Sequence, residues 1–402
     1  MGQILIKPMA LSFEGRRSQG RAAGIAAKIG RLSSGVDWVL VVAILPLVLA
    51  GLITMKGLGA GESDYFFNRQ AIWVAAGFAL FFFASTVDWR FLRNGWTLVA
   101  LYLAGLGVLA ALLVFSEAVR GAQSWLSLGI FSLEPAEPMK LVLVLILAKY
   151  FSRRHVEIRH TRHIFVSGLY AGLPTLLIFL QPDLGSAAIF FFIWLGVILV
   201  SGVSKRHIAL VGTVIVCAAL IGWFYVLAPY QKARLSSFID PWRDPEGVGY
   251  NALQSVTAVG SGGFWGRGIG FGTQSRLEFL PEHETDFIFA AFAEEWGFLG
   301  VSVLLFFFGV VFWRIMKAAW AGHSNFEKLF GIGLVLIVLA HFVINIGMNV
   351  GMLPITGITL PFLSYGGSHI ITLFFGLGML LGMKQYGYES GGNQRESDLT
   401  LI

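Results

Sequence analysis

The strongest constraint in this sequence is a series of apolar runs, each about as long as a membrane span. A helix needs about 20 mostly apolar residues to cross the hydrocarbon core of a bilayer. Only 13% of the 402 residues are charged, against about 25% in soluble domains. The sequence therefore excludes a water-soluble globule and predicts an all-α polytopic membrane protein with about ten transmembrane helices, at residues 36–55, 70–87, 95–115, 138–151, 164–180, 185–203, 208–228, 287–312, 329–350 and 367–383.

The placement of basic residues predicts the orientation of these spans. Residues 1–35 carry six Lys and Arg without an apolar core, so we expect a cytoplasmic tail and no cleavable signal peptide. About 20 of the 29 basic residues then lie inside, as the positive-inside rule requires. Both termini become cytoplasmic, with residues 387–402 as a second tail after the transmembrane domain at 36–386. The net charge of +6 thus predicts no nucleic-acid partner, and the basic cluster at 153–163 is interpreted as a contact with anionic membrane lipids.

One loop, at residues 229–286, is far longer than an ordinary helix connection. Its many aromatic residues argue against disorder, so we expect a large ordered loop on the outer side. Within it, the glycine-rich segment at 260–272 alternates glycine with aromatic residues. We expect an interfacial element whose backbone amides are free to approach phosphates.

Ionisable residues in spans are expensive and are functional candidates by default. Glu137 and Lys140 lie three residues apart on one face of the fourth span, which suits either an ion pair between helix ends or a role in binding. Asp183 follows a proline between two apolar runs and suits either a helix cap or binding.

The start of the eighth span carries three further carboxylates. Asp286 stands at its outer end, where it could cap the helix or meet a substrate head group. Glu294 and Glu295 follow about two turns deeper. Adjacent helix positions point about 100° apart, so we expect one of these glutamates in a polar network and the other nearer the periphery.

Irregular backbone is predicted after the ninth span, where Asn345 and Asn349 are followed by Pro354, Gly357 and Pro361 and then by the polar stretch around Ser364. A bilayer tolerates such backbone only where it lines a cavity or is covered by protein. The pattern indicates a polar outer vestibule.

Four motifs resemble the SEDS family (shape, elongation, division and sporulation) of peptidoglycan polymerases, and the resemblance runs from about residue 36 to 386. In this sequence they read Gln181-Pro182-Asp183-Leu184-Gly185, Phe279-Leu280-Pro281-Glu282 through Thr285-Asp286-Phe287-Ile288-Phe289-Ala290, Glu294-Glu295-Trp296-Gly297, and Pro361-Phe362-Leu363-Ser364-Tyr365-Gly366-Gly367-Ser368. The stretches Asn345-Ile346-Gly347-Met348 and Gly249-Tyr250-Asn251 are more similar to the rod-elongation (RodA) branch than to the division (FtsW) branch.

The resemblance implies a glycosyltransferase that polymerises lipid II, an undecaprenyl-pyrophosphate disaccharide-pentapeptide, on the periplasmic face of a bacterial inner membrane. It implies that Asp286 is the catalytic general base, and that a class B penicillin-binding protein transpeptidase is the partner. The substrate-binding candidates are Glu137, Lys140, Arg120, Asp183, Arg267, Arg276 and Ser364, and the structural or polar-network candidates are Glu294, Glu295 and Asn345.

The sequence departs from the family pattern at two places. Glu134-Pro135-Ala136-Glu137 stands where many members have Gln-Pro-Ser-Glu, and Ser124 stands where an arginine is frequent. If that arginine binds pyrophosphate in relatives, another base must do so here, and Arg120 is our candidate.

No cofactor is required by the motifs, although a divalent Mg²⁺ or Mn²⁺ held by carboxylates is an alternative way to neutralise phosphate. Two other functions stay open: a lipid II flippase or transporter, which suits the same composition, and a division-specific polymerase.

Overall fold

Each of the ten apolar runs folds largely into helix in the computed structural model, which describes residues 36–57, 62–115, 124–127, 132–152, 161–203, 205–227, 229–247, 249–277 and 279–399. A two-stranded antiparallel hairpin, β1 (Leu126–Ser127) and β2 (Ser132–Leu133), precedes the fourth helix. The α-helices in chain order are α1 (Trp38–Gly57), α2 (Glu62–Ser85), α3 (Gly95–Phe115), α4 (Ala136–Ser152), α5 (Thr161–Leu180), α6 (Leu184–Val200), α7 (Lys205–Ile221), α8 (Pro229–Ile239), α9 (Tyr250–Ser261), α10 (Thr273–Arg276), α11 (Ile288–Trp320), α12 (Asn325–Asn349) and α13 (Gly367–Leu399).

The polytopic membrane class is confirmed by the lengths and composition of these helices. Within the described residues, seven helices are long and apolar enough to cross a bilayer, namely α1, α2, α3, α5, α11, α12 and α13. The other three predicted spans are shorter, since α4, α6 and α7 have 17 residues each. At 1.5 Å per residue these reach about 26 Å, and α7 is extended by a π-helical turn at Gly222–Val226.

Helix α12 lies at the centre of the bundle and packs against α4, α6 and α11, while α13 packs along α2. Most of the surface of α12 is buried, whereas α3 exposes most of its apolar side chains. The buried face of α12 carries three polar residues spaced by four, His341, Asn345 and Asn349. Residues four apart lie on one helix face, so α12 presents a polar stripe inside an apolar core.

The predicted outer loop is ordered and contains α8, α9, α10 and a short 3₁₀ turn at Pro241–Arg243. Its glycine-rich segment lies against a break in α11. Gly297 has φ of 63° and ψ of −168°, a conformation that a helix cannot accommodate and that favours glycine. The break divides α11 into a short portion before Gly297 and a long portion after it.

The glycine-rich segment hydrogen-bonds to the backbone groups that this break frees. The amides of Arg267 and Gly268 donate to the carbonyls of Glu294 and Glu295, both at 3.0 Å. The amide of Phe298 donates to the carbonyl of Gly263 at 2.9 Å. Such backbone groups are costly when they lack partners in a membrane protein, so the segment stabilises the broken helix.

Two expectations about this region were wrong. The amides of Arg267, Gly268 and Gly270 are bonded to α11 rather than free for phosphates. Glu295 is not peripheral: both Glu294 and Glu295 are buried, because the loop covers the face of the helix that an isolated span would expose.

Several predicted features lie outside the described residues, namely the tail at 1–35, Arg120 and most of the basic cluster at 153–163.

Candidate functional site

Asp286 occupies a tight turn immediately before α11. The carbonyl of Glu282 accepts hydrogen bonds from the amides of Thr285, Asp286 and Phe287, at 3.1 to 3.2 Å. Glu282 has a φ of 53°, in the left-handed region that non-glycine residues adopt at a cost. The residue preceding α11 is Phe287 and the helix has no side-chain cap, so Asp286 does not cap it.

The backbone of Asp286 is fixed by two buried asparagines of α12. The side-chain amides of Asn345 and Asn349 donate to the Asp286 carbonyl at 2.9 and 3.0 Å. Asn345 also donates to the Ile358 carbonyl at 2.7 Å, and Asn349 accepts from the Ala290 amide at 3.1 Å. The polar stripe of α12 therefore holds the Asp286 turn and the segment around Ile358 in one fixed relation.

Ser364 joins the same turn to the last irregular segment. Its hydroxyl donates to the Thr285 carbonyl at 2.6 Å and accepts from the Leu360 amide at 2.8 Å. Gln70 of α2 donates to the Ser364 carbonyl at 2.8 Å. The Ser364 side chain is buried, and its hydroxyl is hydrogen-bonded to backbone groups on both sides. In this conformation it joins the Asp286 turn to the segment at Leu360.

Asp286 is only partly buried, unlike Phe287 and Ile288 that follow it. Gly357 lies beside its carboxylate with a φ of 75°, and a Cβ built on Gly357 would stand 3.4 Å from the Asp286 Oδ2 atom. A glycine here keeps a side chain away from the carboxylate, which suits a general base, because such a base must lie within hydrogen-bond reach of the proton it removes.

A second polar group, the Lys140 cluster, consists of Glu137, Lys140, His341 and His369. Lys140 is completely buried, and its ammonium donates to Glu137 Oε1 at 2.7 Å. The predicted pairing of Glu137 with Lys140 is confirmed, and the pair joins α4 to α12 and α13 through the two histidines. The Lys140 Nζ atom lies 3.0 Å from His341 Nε2, and Glu137 Oε2 lies 3.0 Å from His369 Nδ1.

The partners of each histidine fix its tautomer. His341 Nδ1 lies 3.1 Å from the Thr359 carbonyl oxygen. A carbonyl only accepts hydrogen bonds, so Nδ1 carries the proton and Nε2 accepts from Lys140. His369 Nδ1 donates to the Glu137 carboxylate by the same argument, which leaves His369 Nε2 buried without a hydrogen-bond partner in the described part of the chain.

Asp183 and Glu134 form an acidic pair beside this cluster. Asp183 caps α6, since its Oδ1 accepts from the Ser186 amide at 2.9 Å. Glu134 precedes α4, and Ser186 donates to its Oε1 at 3.4 Å. Burial, followed by the charges of Glu137 and Asp183, raises the pKa of Glu134 to about 8. The predicted cap at Asp183 is thus confirmed, while a binding role for this residue stays a prediction.

The remaining predicted residues lie around the glycine-rich segment. Glu294 accepts from the Gln274 and Ser275 amides at 2.9 and 3.2 Å, which fixes α10. Glu295 accepts from the Gly270 amide at 2.8 Å. Arg267 and Arg276 are exposed on the same loop, and Arg267 Nε donates to the Ser261 carbonyl at 3.2 Å.

Sequence reasoning did not single out His341, His369 or Gln70. Asn349 was predicted only to lie before the irregular backbone that follows the ninth span. The spacing of four between His341, Asn345 and Asn349 was the available signal for the polar stripe. Nothing comparable in the sequence points to the contact of His369 with Glu137, which are 232 residues apart.

The fold is that of a polytopic membrane protein. Its candidate site is the half-buried Asp286, held at one end of the helix bundle. The chain belongs to the SEDS family: the family model described as "Cell cycle protein" (FtsW, RodA, SpoVE) matches residues 36–389.

Curated relatives span three branches of this family. The chain is 34% identical to a probable peptidoglycan glycosyltransferase FtsW of Thiomicrospira cyclica, covering 86% of this chain and 91% of the relative. It is 35% identical to stage V sporulation protein E of Bacillus subtilis, with 87% and 97% covered. It is also 35% identical to the peptidoglycan glycosyltransferase MrdB of Escherichia coli K12, with 83% and 91% covered.

Two solved structures share the fold. One is a chain from a study of how a peptidoglycan synthase complex coordinates polymerization and crosslinking, with a TM-score of 0.75, 32% identity and coverage of 88% of this chain and 98% of that one. The other is the rod shape determining protein RodA of Thermus thermophilus, with a TM-score of 0.65, 29% identity and coverage of 88% and 97%.

Proposed function

We propose that this chain polymerises lipid II into glycan strands for cell-wall elongation, with Asp286 as the general base. As a member of the SEDS family, with relatives named peptidoglycan glycosyltransferases, it is a peptidoglycan glycosyltransferase. The observation that carries the role of Asp286 is the contrast within one residue: its backbone carbonyl accepts from Asn345 and Asn349, while its carboxylate lies beside Gly357, which has no side chain.

In the proposed reaction, the hydroxyl of the acceptor sugar attacks the anomeric carbon of the donor sugar. Asp286 takes the hydroxyl proton as the new glycosidic bond forms, and the bond to the lipid pyrophosphate breaks with inversion. The departing diphosphate is stabilised by positive charge. Arg267 and Arg276 are exposed guanidinium groups on this loop, whereas Lys140 must leave its buried cluster before it can contact a phosphate.

A Mg²⁺ or Mn²⁺ ion is a second source of this positive charge. Carboxylate oxygens are the ligands that both ions prefer. Glu134 and Asp183 are the carboxylates placed to hold such an ion, since Ser186 contacts both: its amide donates to Asp183 Oδ1 at 2.9 Å and its hydroxyl to Glu134 Oε1 at 3.4 Å. When bound, the ion would neutralise phosphate oxygens, and these two residues would hold it.

Rod elongation rather than division is proposed from the stretches Asn345-Ile346-Gly347-Met348 and Gly249-Tyr250-Asn251. The proposed partner is a class B penicillin-binding protein, a choice supported by the resemblance to a chain from a peptidoglycan synthase complex. The proposed location is the bacterial inner membrane, with Asp286 facing the periplasm.

The test is polymerisation by the purified full chain in lipid vesicles supplied with lipid II. We expect glycan strands from the natural chain and none from Asp286→Asn. Asp240→Asn is the matched control, because Asp240 is an exposed aspartate on the same loop, between α8 and the 3₁₀ turn at Pro241–Arg243. Full polymerisation by Asp286→Asn overturns the assignment of the base, and lipid II transfer across the vesicle without chain growth identifies a flippase instead.

The branch is tested in cells depleted of either the elongation or the division polymerase. Restored rod shape without restored division supports the elongation role. Restored division alone identifies the division-specific alternative.

A further inference from the structure

The Lys140 cluster contains more ligand chemistry than an ion pair within one helix needs. Glu137, His341 and His369 are all buried, and each offers one ligand atom such that the three atoms lie within 4.8 Å of one another. Glu137 and Lys140 pair within α4, so the ion pair alone needs neither of the two imidazoles. The two imidazole rings are tilted by 32°, with centroids 4.2 Å apart.

The position of Lys140 shows where a cation fits in this cluster. Its ammonium lies 2.7 Å from Glu137 Oε1 and 3.0 Å from His341 Nε2. In both contacts, a lone pair on the partner atom is directed at the positive charge of Lys140. A fully buried ammonium at this point marks a position where the surrounding groups favour a cation.

The hydrogen bonds of His341 match those of a metal-bound histidine. Metal-ligating histidines usually donate their other ring N–H to a carbonyl or carboxylate, which fixes the ring and the tautomer. His341 Nδ1 donates to the Thr359 carbonyl in this way and leaves Nε2 as the free lone pair. This bond does not involve Lys140, which contacts the other ring nitrogen.

His369 supplies an independent observation. It is 4% exposed, and its Nε2 atom has no hydrogen-bond partner in the described part of the chain. A buried polar atom without a partner is costly, and a bound ion is one of the recognised explanations. Rotation of the ring would exchange this nitrogen for the one that now contacts Glu137.

We infer that Glu137, His341 and His369 form a binding site for Zn²⁺ that exchanges with the ammonium of Lys140. Two imidazole nitrogens and one carboxylate oxygen form a ligand set found in zinc enzymes, and they are a poor set for Mg²⁺. Ligand atoms around tetrahedral Zn²⁺ stand about 3.4 Å apart, given bonds of about 2.0–2.2 Å. The separations within the cluster, up to 4.8 Å, therefore shorten by about 1.4 Å at most when the ion enters.

Zn²⁺ and the ammonium cannot share the cluster, because two cations a few ångströms apart repel strongly in a dry interior. Entry of the ion therefore expels the Lys140 side chain from its contacts with Glu137 and His341. The site couples metal binding to the release of a buried lysine.

The test is equilibrium dialysis of the purified full chain in detergent against Zn²⁺, with the absorption spectrum of bound Co²⁺ as a second probe. We expect one Zn²⁺ per chain and a Co²⁺ spectrum of a four-coordinate site. His341→Gln and His369→Gln should each weaken binding by about 10-fold or more, since even outer-shell losses cost 10–100-fold. Lys140→Met should bind more tightly than the natural chain, because its competing cation is gone.

His323→Gln is the matched control, because His323 is an exposed histidine outside the cluster. Gln at position 341 still offers Lys140 an acceptor, so a folded variant is expected, and gel filtration of each variant checks this. No Zn²⁺ on the natural chain overturns the inference, even if Lys140→Met binds it, since Lys140 is then the permanent cation of the cluster. Equal binding by the natural chain and by both histidine variants overturns it as well.

Discussion

The Asp286 turn and the Lys140 cluster both use the polar stripe of α12, and they hold their charged groups in opposite ways. Asp286 is held through its backbone carbonyl, which accepts from Asn345 and Asn349 one helical turn apart. Lys140 is held through its side chain, which contacts Glu137 and His341 inside the bundle.

This difference separates two tasks that a membrane enzyme must combine. A buried ion pair is costly to form and more costly to break. Through the contacts of Lys140 with His341 and of Glu137 with His369, this pair fixes α4 against α12 and α13. A carboxylate that performs proton transfer must instead remain within reach of substrate, so only its backbone is immobilised. Substitutions can disturb each kind of attachment separately.

The largest effect is expected from Lys140→Met. The substitution leaves the Glu137 carboxylate buried without its ammonium, and breaking such a pair typically costs about 3–5 kcal/mol of stability. Thermal unfolding in detergent measures the loss. The double variant Glu137→Gln/Lys140→Met removes both charges and should recover much of it. Equal stability of the single variant and the natural chain would contradict a structural role for the pair.

Asn345→Ala should reduce polymerisation strongly with a smaller loss of stability. It removes the hydrogen bonds to the Asp286 and Ile358 carbonyls, and a misplacement of about 1 Å at a catalytic group costs roughly 10²-fold in rate. The measurement is the initial rate of glycan synthesis at saturating lipid II. Asn349→Ala leaves Asn345 in place and should have a smaller effect. An unchanged rate for Asn345→Ala would show that this clamp does not position the base.

Gly357→Ala tests the space beside the Asp286 carboxylate, where the chain has a glycine and no side chain. The added Cβ would stand 3.4 Å from Asp286 Oδ2, and the φ of 75° costs an alanine about 1–2 kcal/mol. We expect a several-fold lower rate and a modest fall in thermal stability. Gly107→Ala in α3 is the control, because nothing lies near its Cβ position. Equal rates for both variants would contradict the interpretation of this space as part of the site.

A further effect concerns pH and Glu134. Burial raises the pKa of Glu134 to about 8 from the ordinary value of 4.5, so the folded state retains a proton that the unfolded state releases. The stabilisation is complete below pH 4.5 and is lost as pH rises through about 8. Glu134→Gln should therefore gain stability relative to the natural chain between pH 5 and 9, measured as the difference in thermal midpoints. Parallel curves would contradict the shift.

The sequence predicted the ten membrane helices well because each of them lies in a mostly apolar run. It also predicted the contact of Glu137 with Lys140, since three residues along a helix bring two side chains together whatever surrounds them. The end of α11 nearest Asp286 was predicted less well. The run at 287–312 has no signal that distinguishes a straight helix from one broken at Gly297, and glycine is common within membrane helices.

The contacts that sequence reasoning missed connect residues far apart in the chain. His369 and Glu137 belong to α13 and α4, and the glycine-rich segment meets α11 through backbone atoms rather than side chains. The expectation of free backbone amides failed for this reason: a residue pattern shows that an amide is accessible locally, but the partner that occupies it depends on how distant helices pack.

The break at Gly297 also bears on how the protein accommodates membranes of different thickness. Helix α11 has 33 residues, or about 50 Å at 1.5 Å per residue, whereas the hydrocarbon core measures about 30 Å. The portion after Gly297 is about 34 Å long and covers the core alone. This portion can tilt to match a thinner or thicker bilayer. The portion before the break is hydrogen-bonded to the loop instead, so we expect Asp286 to keep its position when the lipid composition changes.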